Sequence, residues 1–150
     1  IACNPIQHAI NHATTLTAAE IRQVLAPARA GLDALRMGRA SRLDLTHLVT
    51  VASVAISIEH KGVVKGLSEP LHEADLMLYD IFTRATGDGP WKSPTLYARE
   101  ITALAELLRL HEFQLQQLSF RELCEARAHA IADARRRGAK VLDGRTVEAV

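Results

Sequence analysis

The stretch LDLTHLVTVASVAISI, residues 43–58, decides the fold class. Leu45, Leu48, Val49, Val51, Ala52, Val54, Ala55, Ile56 and Ile58 would put apolar groups on nearly every side of a helix. The many β-branched residues lower helix propensity, so a buried strand is the competing reading. Length and punctuation decide between them. The run is long for a strand. Ser41 followed three residues later by Asp44 is a helix start, and Gly62 is a helix stop. The spacing therefore predicts a helix from Ser41 to about His60. A helix that is apolar nearly all round belongs at the centre of a bundle. With Asp44, His47 and several hydroxyls inside it, the segment is too short and too polar to span a bilayer.

Helices on both sides follow from the same signals. Thr17 with Glu20 makes a capping box, and Ile21, Leu25, Ala28, Leu32 and Leu35 form an apolar stripe that ends at Gly38. Pro27 falls within it, predicting a kink near residues 23–26 or two abutting helices. After the linker KGVVKGLSEP (61–70), Ser68 caps a third helix with Glu69 and Pro70 in its first turn and Leu71, Ala74, Leu78, Ile81, Phe82 and Ala85 on its stripe. The loop GDGPWKSP (87–94) leads to a fourth helix expected to start at Ser93 and Pro94. Ser119 with Glu122 opens a fifth, running to Arg137. Together these predict an all-α, mostly antiparallel bundle of about five helices in one domain spanning residues 1–150. Residues 1–16 and 139–150, the latter without helical period, are expected to be flexible or at its periphery.

The fourth helix carries an anomaly. Tyr97, Ile101, Leu104, Leu108, His111, Leu115 and Leu118 recur in alternating steps of four and three, and a histidine stands where leucine is expected. Buried unpaired, it would cost about 1–3 kcal/mol, so a partner is expected: a backbone carbonyl, a carboxylate, or a hydroxyl such as that of Thr50 or Ser53. His111→Leu is then expected to be neutral or mildly stabilising, provided that the abandoned partner reaches water. Beside the seam, Leu107, Leu110 and Phe113 form a second apolar row. Two-sided apolar helices need extra cover, and a homodimer would supply it.

Composition excludes more than it proposes. Hydrophobic residues make up 48% of the chain but aromatics only 4%, so the core must be aliphatic. A formal net charge of +1 creates no global field toward nucleic acid or an anionic membrane. Cys3 and Cys124 match no metal or redox spacing, which argues against a disulfide framework and for a cytoplasmic setting. No basic start followed by an apolar run marks a signal peptide.

Catalysis and metal binding find little support. There is no G-x-S-x-G, no glycine-rich phosphate loop and no cysteine beside a base, so no catalytic residue and no cofactor are assigned. The adjacent pairs Glu59–His60, His72–Glu73 and His111–Glu112 point about 100° apart on a helix and cannot comfortably face one ion. Glu69 and His72 give the one Glu-x-x-His spacing, in a helix's first turn, and His8 with His12 lack an intervening Glu, so a His/Glu metal-dependent enzyme stands as the second alternative function.

Two kinds of partner remain. Arg36, Arg39 and Arg42 flank the first turn between helices, and Arg135, Arg136 and Arg137 close the fifth helix, which makes nucleic acid the alternative. Basic residues at a helix C-terminus also complement its dipole, and the helix after Arg42 is too apolar to lie in a groove. A protein partner fits better: Trp91, the single tryptophan, stands in a Gly/Pro loop beside Lys92, either lidding the bundle or anchoring a partner together with His111, Leu107, Leu110 and Phe113.

In style, LDALRMGRAS (32–41), AISIEHKGVV (55–64) and LLRLHEFQLQQLSFRELCEARAHAI (107–131) resemble uncharacterised small helical proteins of proteobacterial genomes, prophages and mobile elements. That resemblance implies an accessory protein and brings no functional residues.

Overall fold

The computed structural model describes residues 13–87 and 89–137, together with the backbone of 140–142 and 146–148. Five helices fill it: α1 (Ala18–Arg36), α2 (Arg42–Lys61), α3 (Ser68–Thr86), α4 (Ala98–Gln117) and α5 (Phe120–Arg136). Past α5, Lys140–Leu142 pairs antiparallel with Thr146–Glu148.

Caps set the boundaries. Thr17, Ser41 and Ser119 each accept from the amide three residues on, and Glu20, Asp44 and Glu122 return the bond to the cap's own amide. Such a cap is worth about 1 kcal/mol. Gly62 ends α2 with φ at 77°, a conformation open to glycine at little cost. The third cap differs from expectation: Ser68 is already helical, and Leu67 precedes it without a side-chain cap. The expected start of α4 at Ser93 and Pro94 is four residues early, because 91–97 stay outside any helix, Tyr97 is extended, and the Glu100 carboxylate accepts from the Tyr97 amide. Pro27 neither splits α1 nor ends it; the helix is continuous across it.

The central helix is the one the sequence marked. α2 packs against α1, α3, α4 and α5. Its one accessible strip includes Leu43 and Thr50. α1 runs antiparallel to α4: Leu16 N–H bonds Leu118 O at one end (3.2 Å), Arg29 meets Glu112 midway (2.9 Å), and the Ala40 amide reaches Ser93 Oγ at the other (3.0 Å). α5 returns along α2, with Lys61 facing Glu125 and Ser57 facing His129. Leu16, expected at the periphery, is instead a core residue.

The interior falls into two apolar clusters. The larger joins Leu32, Leu45, Leu48, Leu71, Leu78, Ile81, Leu104 and Leu107 with their neighbours from α1 to α4. The smaller joins Leu16, Ile21, Leu25, Ile58, Leu115, Leu118 and Leu123, where α5 closes over α1, α2 and the end of α4.

α1 and α2 meet at backbone distance. A Cβ added at Gly31 would lie 2.6 Å from Asp44 O, in the first turn of α2. Alanine at an ordinary helical glycine stabilises by about 1 kcal/mol. Here the sign should reverse: Gly31→Ala is expected to lose about 1–3 kcal/mol in denaturant unfolding, as overpacking does. A variant as stable as the parent would contradict the close approach.

Candidate functional site

Among the described residues the buried polar groups are Ser57, Glu100, His111 and Gln114, and each has a partner. His111 is 1% exposed and Gln114 not at all. Gln114 Nε2 donates to Ala55 O on α2 at 3.0 Å, which turns its Oε1 toward His111 Nδ1, also at 3.0 Å. An amide oxygen only accepts, so Nδ1 carries the proton that this bond uses. None of the partners expected from the sequence is used. The ring pairs with a side chain three residues along its own helix, and through it with α2. The chain His111–Gln114–Ala55 lies between the clusters, with Leu107, Leu108 and Leu110 on one side and Leu115 and Leu118 on the other.

Burial drives the His111 pKa from 6.5 down to about 4; the Gln114 bond opposes this and the Arg127 charge adds to it. A ring held neutral at ordinary pH and sealed from solvent cannot exchange protons with a substrate. It is a structural group.

Leu107 and Leu110 are buried inside the same chain, because α4 packs on α1, α2 and α3 together. The second apolar row thus faces neighbouring helices rather than a second copy. Of the residues expected to form an interaction surface on α4, only Phe113 is exposed. Trp91 is half-buried against Phe82, and its Nε1 donates to Ala40 O at 2.9 Å, so it lids the bundle end; Lys92 beside it is exposed.

That same end holds a tight ionic knot. The buried Glu100 carboxylate accepts from Arg84 Nη2 at 2.8 and 2.9 Å and from the Tyr97 amide at 2.9 Å. Arg84 also donates to Thr95 O and lies 4.8 Å from the Tyr97 ring centre. A buried carboxylate without such partners would be costly, so the knot fixes the start of α4 on the end of α3.

At the far end of α5, Arg136 and Arg137 both pair with Asp133 (3.2 and 2.9 Å), whose carboxyl the Arg136 hydrogen bond holds below the usual range. Two of the three arginines of that basic cluster are thus partly neutralised. Arg137 also faces Asp75 on α3, whose pKa burial raises against the pull of Arg137 and His72.

Ser57 Oγ and His129 Nδ1 stand 3.1 Å apart. The hydroxyl is nearly sealed from solvent toward the C-terminal end of α2, so this contact holds α5 to α2. Two open cavities of about 270 Å³ indent the surface. One lies over Ile58, Val63, Leu118 and Ala126, where Glu122 is engaged as a cap and Glu125 by Lys61. Among the described residues no three His, Cys, Asp or Glu side chains gather as a metal site, and no helix is long and apolar enough to cross a membrane. His8 and His12 lie outside the described residues. Comparison with protein-family models, with curated proteins and with solved structures gave no match.

The depressed His111 pKa sets a pH dependence. Above pH 6.5 the ring is neutral in both folded and unfolded chains, and the full stability is present. Between about 6.5 and 4 only the unfolded chain takes up the proton, so this group should remove roughly 3 kcal/mol as the pH falls across that window. Denaturant unfolding at pH 7 and pH 4 of the parent and of His111→Gln, which cannot titrate, isolates it. The parent should lose about 3 kcal/mol more than the variant; equal losses would mean that the ring is solvated.

Proposed function

We propose that this protein is a helical interaction module that acts by docking, with a second copy of itself as its first partner. The observation that carries the reading is the outer face of α3. His72, Leu76, Tyr79 and Thr83 follow one another in steps of four, three and four, all exposed, with Leu76 at 68% and Tyr79 at 70%. Large apolar and aromatic side chains presented together on a rigid helix are the usual anchors of protein interfaces.

The interior supports docking over catalysis, since its buried titratable groups are engaged in holding helices together. The exposed α3 row replaces the α4 row as the surface offered to a partner. The stylistic resemblance to small helical proteins of bacteria and mobile elements fits an accessory role. A half-buried free thiol at Cys124 suits a cytoplasmic setting.

Sedimentation velocity from low to high micromolar concentration tests the reading. The parent should associate with rising concentration, whereas Leu76→Asp with Tyr79→Asp should stay monomeric with its thermal unfolding little changed, as surface substitutions usually leave it. A parent that stays monomeric throughout would overturn self-association.

A further inference from the structure

The corner between α1 and α2 is the second surface that stands out. Arg36, Arg39 and Arg42 follow one another around it, and Lys92 joins them from the α3–α4 loop, because the Ala40 backbone is bonded to both Trp91 Nε1 and Ser93 Oγ. Arg36, Arg39 and Lys92 are exposed and Arg42 partly so. Among the described residues no carboxylate forms an ion pair with any of the four. The acidic groups nearest in sequence are Asp33, a turn before Arg36, Asp44, whose carboxylate accepts from Ser41 N and Oγ, and Asp88, which lies outside the described residues. Four cations thus reach solvent without an ion-pair partner among the described residues.

Apolar groups stand among them. Met37 is 67% exposed, with the Arg39 guanidinium 3.4 Å from its sulfur, and Leu43 is 46% exposed beside Arg42. The Arg42 guanidinium lies 5.7 Å from the centre of the Phe82 ring, which props it over the corner. A thioether is a soft and adaptable contact, common on surfaces that receive varied apolar side chains.

We propose that this corner docks an acidic protein segment bearing a large apolar side chain: its carboxylates pair with the four cations, and its apolar group seats on Met37 and Leu43. The arginine forks match carboxylates as well as phosphates. The exposed Met37 and Leu43 favour a protein segment, since aliphatic side chains seat on a thioether and a leucine more closely than a sugar–phosphate backbone does. The proposal rests on the reading of the chain as an interaction module, but uses a face separate from Leu76 and Tyr79.

The test uses the whole chain and a fluorescent synthetic peptide, a run of glutamates with two leucines, beside its glutamine counterpart and a single-stranded oligonucleotide of similar length. The acidic peptide should bind at least about tenfold more tightly than the glutamine peptide, and weaken as salt rises. Arg36→Ser with Arg39→Ser should weaken it about tenfold and Met37→Ser about threefold, while Arg109→Ser, which removes an exposed cation elsewhere on α4, leaves it unchanged. Equal binding of both peptides, or no binding at millimolar concentration, overturns the proposal. So does an oligonucleotide that binds as tightly as the acidic peptide and is indifferent to Met37→Ser. If the peptide fails while self-association through Leu76 and Tyr79 holds, the corner alone is misassigned; if both fail, the interaction reading falls with it.

Discussion

One amide, the side chain of Gln114, sets the register of this bundle. It is wholly buried, donates to Ala55 O on α2 and accepts from His111 on its own helix. Apolar contacts between α2 and α4 would tolerate a slide or rotation at modest cost, because leucines repack. The amide would not. Displacing it leaves a donor, an acceptor and an imidazole N–H without partners in a dry interior, at about 1–3 kcal/mol for each group. Polar groups buried between two apolar clusters thus select one arrangement of helices that hydrophobicity alone leaves degenerate.

The rest of the molecule follows that placement. With α4 fixed against α2, its two apolar rows meet α1 and α3 together, and the Glu100–Arg84 knot ties its start to the end of α3. α5 then closes the smaller cluster through Leu123 and Ala126, with the Ser57–His129 contact at its outer edge. The interior is committed to its own architecture, and the two surfaces proposed for partners, the α3 row and the basic corner, lie outside it.

Much of this was legible in the sequence, for local reasons. Capping residues act within one turn, so Thr17, Ser41 and Ser119 marked helix starts correctly. Residues 43–58 showed their central position by lacking a polar face. Where the reading failed, the deciding contact was distant or depended on how many neighbours a helix has. Ser93 and Pro94 look like a helix start, but Ser93 serves the Ala40 amide across the loop. Leu107 and Leu110 read as an uncovered row because periodicity cannot reveal that α4 has three neighbours within one chain. The partner of His111 was missed although Gln114 stands at helical spacing from it; an i, i+3 pair is easily read as two separate residues. The α3 row escaped because Leu76 and Tyr79 lie off the stripe that was followed.

The measurement that bears most directly on this account is a double-mutant cycle on His111 and Gln114. Each leucine substitution alone strands the other residue's polar group in the core, so His111→Leu loses the neutrality expected while its partner was thought to reach water. Each single variant should lose about 1–3 kcal/mol in denaturant unfolding, and the double variant clearly less than the sum, with a coupling of about 1 kcal/mol or more. Losses that simply add would mean that the two side chains act independently, and that the buried polar chain does not set the register of the bundle.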